Sequence, residues 1–170
     1  MFTIFHTYFT RYPMLSISRE RLLDWLDFYA ATTDGVWLKS IDYRHDVTFY
    51  WCDAMRDSDV MGAKDLLGNT IYLQNESPDA MSNPHWDPAN WAMLIAPTAI
   101  HELRHLWQRR KLGIALYIVL AFPWLREVTI EKDAWRITKA ADSIISTEDA
   151  RRCAEAAEKR QKKVEAKYGD

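Results

Sequence analysis

The chain is short of several things. It has 2 cysteines, Cys52 and Cys153, in 170 residues, too few for a disulfide framework, so a reducing compartment is expected. With 5 glycines and 6 prolines it has little material for long flexible segments. Its formal net charge of -2 gives no general reason to expect a nucleic-acid partner. The N-terminal MFTIFHTYFTRYPML is interrupted by His6 and Arg11 and lacks a small-residue cleavage site, so it does not read as a signal peptide and a cytoplasmic location is expected. The uncharged, strongly apolar stretch LGIALYIVLAFPWL at 112–125 falls short of the roughly 20 residues that span a bilayer. It contains Pro123 and reads as a buried helix, with a membrane-associated protein as the weaker reading.

What remains fits one globular domain with a sizeable core, since 48% of residues are apolar, including 8 Trp and 8 Tyr. The charge is uneven. Residues 151–170 hold seven Lys/Arg against four Asp/Glu, a balance of +3 that leaves -5 for the rest. Such a tail reads as a solvated helix, and the organisation expected is a domain over 1–145 with a charged helix over 146–170 packed on it or extending from it.

Local patterns predict a mostly helical α+β domain with a small antiparallel or mixed sheet. SISRERLLDWLDFYAATTDG reads as a helix capped by Ser18, with an apolar face of Leu22, Leu23, Trp25, Leu26 and Tyr29 and a stop at Gly35. VTFYWC at 47–52 and GNTIYLQ at 68–74 read as strands. QNESPDAMSNP reads as a loop, and Asp87 with Pro88 as an N-cap and first-turn pair. Pro97 is expected to kink or split the next helix, leaving a segment from about Thr98 to Lys111 that stops near Gly113. Helices are then predicted over 114–122, over about 126–144, and from Ser146 or Thr147 onward.

The segment TAIHELRHLWQ, residues 98–108, carries the chemistry. On a helix, His101 and His105 are four apart and share a face, so both rings can reach one ion. Glu102 lies about 100° round the helix from His101, beside the ion, where a carboxylate can take a proton from water. Ile100, Leu103, Leu106 and Trp107 put the pair at the edge of a buried face. A zinc ion, one per chain, then needs a third protein ligand to leave one position open. No histidine follows His105, and Gln108 and Lys111 stand where HExxHxxGxxH requires Gly and His, so the third ligand must be acidic if it lies downstream. REVTIEKDAWRIT offers Glu127, Glu131 and Asp133; the last two flank an apolar face centred on Ala134, Ile137 and Ala141, and periodicity does not choose.

HELRHLWQ followed about 25 residues later by EKDAW resembles the gluzincin plan, in particular small zincin-like metallopeptidases, some of them encoded by phages. The resemblance spans roughly residues 68–141. It implies a zincin-like catalytic domain with Glu131 as third ligand, Glu102 as general base, and a peptide or protein substrate that pairs with an edge strand, for which NTIYL is the candidate. Trp135 departs from the pattern, because several gluzincins carry there an Asp that orients a histidine, so the orienting partners are left unassigned. Tyr72, Tyr117 and His85 are candidates by residue type for steadying an oxyanion; Gln108, three residues after His105, is on the metal-facing side and could support a ligand, but reads as solvated. Peptide deformylase is disfavoured, since Cys52 in YWCDA does not match its Gly-Cys-Leu type motif. The alternative function is a non-catalytic binding or regulatory protein on the same scaffold, against which the retention of Glu102 argues.

Overall fold

A computed structural model describes residues 11–14, 16–52, 61–74 and 88–168. Asp87, His85 and the segment beyond Gln74, for which the sequence predicts a cap, an oxyanion contact and a loop, lie outside them. In chain order the elements are β1 (Arg11–Pro13), α1 (Ser16–Ala30), a 3₁₀ turn (Val36–Ser40), β2 (Thr48–Cys52), β3 (Gly62–Lys64), β4 (Thr70–Gln74), α2 (Pro88–Leu112), α3 (Ile114–Leu120), α4 (Pro123–Arg126) and α5 (Ile130–Tyr168). This is a mostly helical α+β arrangement with a mixed sheet in the order β1-β2-β4-β3. β2 and β4 run parallel, while β1 and β3 pair antiparallel with them at the two edges.

Alternation sets the two faces of the sheet. Phe49, Trp51, Ile71 and Leu73 enter the main core, while Tyr50, Cys52, Ala63 and Tyr72 cluster on the other side. A slip of one residue would exchange these sets, so the apolar pattern fixes the register. The segment 69–73 is therefore not an edge: β4 lies between β2 and β3, and the edge nearest the helices is β3. Its sequence, GAK, carries no β-branched or aromatic residue to announce a strand.

α2 is the central element, packed against α1, α5, β3 and β4. From Ala99 to Leu106 every residue is buried, and so polar residues of this helix are placed in the interior. Pro97 does not split it: one helix of 25 residues runs through the proline. Pro97 removes one backbone donor, but neighbours on several sides hold both halves in line, and packing overrides the local preference. Gly113 does stop α2, in the left-handed region at φ 79.

Other boundaries also move. α1 starts at Ser16, so Ser18 is not its cap but a buried residue of the first turn. It ends at Ala30, and Gly35 belongs to the following turn, where an added Cβ would lie 1.9 Å from the Tyr29 carbonyl oxygen. The expected break near Ser146 is absent, because α5 is a single helix of 39 residues. Thr147 donates its hydroxyl to the Ser143 carbonyl four residues back, a bond within a continuing helix rather than a cap. The segment expected to be a buried helix over 114–122 is instead largely exposed, with Tyr117 its one buried large side chain. Among the described residues no helix is long and apolar enough to cross a membrane.

Candidate metal centre

α2 and the first turn of α5 bring His101, His105 and Glu131 together, all three buried, with one ligand atom from each within 4.8 Å of the others. The two Nε2 atoms are 3.1 Å apart. One oxygen of Glu131 lies 3.1 Å from His101 Nε2 and the other 3.3 Å from His105 Nε2. Asp133 and Glu127 do not join them. Asp133 accepts hydrogen bonds from Arg104, Gln108 and Arg136, and Glu127 lies exposed in the turn before α5.

The far side of each imidazole fixes its tautomer. Thr138 gives its hydroxyl proton to the Ala134 carbonyl (2.8 Å), so it accepts from His101 Nδ1–H at 2.9 Å. Gln108 gives its two amide protons to the Ile130 carbonyl (3.0 Å) and to Asp133 (2.9 Å), so its oxygen accepts from His105 Nδ1–H at 2.9 Å. In their neutral forms both rings therefore turn an unprotonated Nε2 towards Glu131. Such partners orient a ligating histidine and raise its basicity. With both rings neutral, these three inward-facing acceptors need a shared proton or a metal ion between them.

The charges agree with this. Burial opposes the charged form of His105, but the hydrogen bond to Glu131 and the charges of Glu102 and Glu131 outweigh it and raise its pKa. Burial also opposes ionisation of Glu131, yet His101, His105 and Arg126 hold its carboxyl well below the usual carboxylate range. Arg126 donates Nε–H to Glu131 at 2.6 Å. The cluster thus favours a positive charge between its three side chains.

Glu102 is buried at the same place, and among the described residues its carboxylate has no hydrogen bond or ion pair. It faces β3 closely: a Cβ on Gly62 would lie 2.6 Å from Thr98 Cγ2 and 3.2 Å from Glu102 Cγ. Only a glycine lets the edge strand come this near α2. Tyr117 is buried beside the same carboxylates, and burial followed by the charge of Glu102 raises its phenol to about 12. It is therefore an O–H donor at neutral pH, and among the described residues its hydroxyl has no partner. Tyr72, by contrast, is on the opposite face of the sheet and accepts from Arg11 at 3.1 Å.

Sequence reading missed the partners of the histidines. Gln108 is not solvated but 5% exposed; its position three residues after His105 was the available signal. Thr138 lies two turns after Glu131 on the same face of α5, a signal equally open to reading. Where the resemblance would place an Asp, Trp135 instead packs edge-on to His101 with ring centroids 4.9 Å apart.

Lys64 of β3 gives a test of the local electrostatics. Its Nζ donates to the Asp65 carbonyl and lies 5.2 Å from the centre of the Tyr117 ring. Burial, reinforced by Arg109 and opposed by Glu102, lowers its pKa from 10.5 to about 8. The folded value is below the unfolded one, so the unfolded chain binds more protons between those pH values and stability rises with pH across that window. Lys64→Met is expected to abolish the rise and to stabilise the protein at neutral pH by roughly 1–3 kcal/mol. Urea unfolding of both proteins at neutral pH and at about pH 10 checks this.

Comparison of the chain with protein-family models, with curated proteins and with solved structures returned no match.

Proposed function

We propose that the protein is a zinc-dependent metallopeptidase of zincin type, with His101, His105 and Glu131 holding the metal and Glu102 as general base. The observation that carries this reading is the convergence of three oriented, inward-facing ligand atoms next to a buried carboxylate that has no partner among the described residues. The donor set fits zinc. At bond lengths of about 2.0–2.1 Å, tetrahedral donors sit about 3.3 Å from one another, and the three separations here are 3.1, 3.1 and 3.3 Å. Two imidazoles and one carboxylate leave room for a fourth, exchangeable position. When bound, such an ion supplies a Lewis acid and makes water acidic enough to ionise near neutral pH.

The chain's own residues account for the rest. Glu102 takes a proton from the attacking water, whose oxygen adds to the scissile carbonyl carbon, and delivers that proton to the amine nitrogen as the C–N bond breaks. Tyr117 supplies the O–H that steadies the developing oxyanion. β3, the edge strand of the described sheet, offers backbone groups to an extended substrate, and Gly62 lets that strand run next to Glu102.

Elemental analysis of the purified protein beside His101→Ala and Glu131→Ala tests the reading. About one zinc per chain is expected in the wild type and none in either variant, with all three folded by circular dichroism. Metal-free wild-type protein that takes up no added zinc would sink the proposal; iron in the same place would retain the site but assign it a different chemistry.

A further inference from the structure

The segment 112–125 stands apart from the metal centre. On α3, α4 and the turn between them, Ile114 is 55% exposed, Val119 51%, Phe122 55% and Trp124 74%, with Leu116 and Ile118 also exposed. Contiguous apolar surface of this kind marks a place that something covers. Fourteen uncharged residues would extend about 21 Å as an unbroken helix, against a hydrocarbon core of about 30 Å, and the two helices here are 7 and 4 residues long. The segment is too short to cross a bilayer but suited to lie in one leaflet, with Phe122 and Trp124 at headgroup depth.

Charge selects the kind of surface. No Asp or Glu occurs between Glu102 and Glu127, and exposed cations flank the apolar segment on both sides: Arg110 and Lys111 before it, Arg126 after it. Arg110 has Asp46 at 3.7 Å and Arg126 is shared with Glu131, whereas Lys111 lies over the Trp107 ring with no acidic partner among the described residues. Cations around an apolar tip complement anionic headgroups. In a symmetric dimer through the same patch, the cationic flanks would be brought together across the interface.

We infer that the α3–α4 hairpin docks the protein onto the surface of an anionic lipid bilayer. The inference does not depend on the metal. The test is cosedimentation of the full chain with vesicles of phosphatidylcholine alone and of phosphatidylcholine with phosphatidylglycerol. Two variants accompany the wild type, Phe122→Ser with Trp124→Ser, and Arg110→Gln with Lys111→Gln; all four positions are exposed, and circular dichroism verifies the fold. The wild type is expected to bind the anionic vesicles, less so as salt is raised. The aromatic variant should bind at least about tenfold more weakly, and the cationic variant should lose most of the preference for phosphatidylglycerol. Absence of binding by the wild type, or equal binding by the aromatic variant, would overturn the inference. So would a dimer in light scattering that the aromatic variant dissolves, because a second copy would then be the occupant.

Discussion

Glu102→Gln is expected to lower the rate of hydrolysis of an unfolded protein substrate such as casein by about 10²–10⁴-fold while zinc content and thermal stability stay close to wild type. The amide keeps the volume of the carboxylate and loses its negative charge and its basicity, and no described hydrogen bond or ion pair is broken by the change. A carboxylate that served only to balance charge near the ligands would show the opposite result, with altered metal affinity and no specific loss of turnover. The same variant separates the two functions considered for this chain. A binding protein that merely retains the scaffold should keep its ligand after the substitution, and a casein assay at equal metal loading reads the difference.

Asp133→Ala should produce the largest loss of stability among single substitutions near the site. Arg104 is packed between Trp37 and Trp107, with its guanidinium carbon 5.0 and 3.9 Å from the two ring centres, and its side chain is 10% exposed. Asp133 accepts from its Nε at 2.7 Å and also holds Gln108, the partner of His105. Removing the acid leaves a buried cation unpaired, at a cost of about 3–5 kcal/mol, or a fall in melting temperature of about 10 °C for a chain of this size. Pairing the change with Arg104→Met should recover much of the loss, because the cost comes from the stranded charge. A single variant that melts within about 1 °C of wild type would show that the ion pair carries no weight. Asp133→Ala and Glu131→Ala thus divide the two acids, one through stability and the other through metal content.

The contrast between those acids shows how much of the site was legible. The four-residue spacing of His101 and His105 put both rings on one face by helix geometry alone. Glu131 and Asp133 flank the same apolar face, and nothing in their own segment separates them. The structure separates them through α2, where Arg104 and Gln108 engage Asp133 and leave Glu131 to meet the histidines. That information is long-range, so a local pattern does not hold it. The fold divides in the same way. Strands β2 and β4 announced themselves through β-branched and aromatic residues, whereas β3 has only Gly, Ala and Lys and is defined by the partner it pairs with. Apolar content at 114–122 predicts a helix but not its location, since apolar residues alone do not distinguish a buried helix from the exposed one found. At Pro97 the local expectation of a break yields to packing on both sides.

The two ends of α5 live under different regimes. Glu131, Ala134, Ile137, Ala141 and Ile145 pin its first four turns into the protein, whereas residues 150–160 are all exposed. Arg152 still reaches back over the Trp25 and Phe28 rings of α1, 4.5 and 5.4 Å from their centres; beyond it the helix is sustained by good helix-forming residues and by close pairs such as Lys162 with Glu158, each worth only a few tenths of a kcal/mol. From there to Tyr168 the helix reaches about 24 Å. Amide protons along that arm should exchange with solvent faster than those of the first four turns, with protection rising from Arg152 towards the buried Ile145 and Ala141. Glu131 stands at the anchored end, so the arm can melt and reform many times without disturbing the cluster that Glu131 forms with His101 and His105.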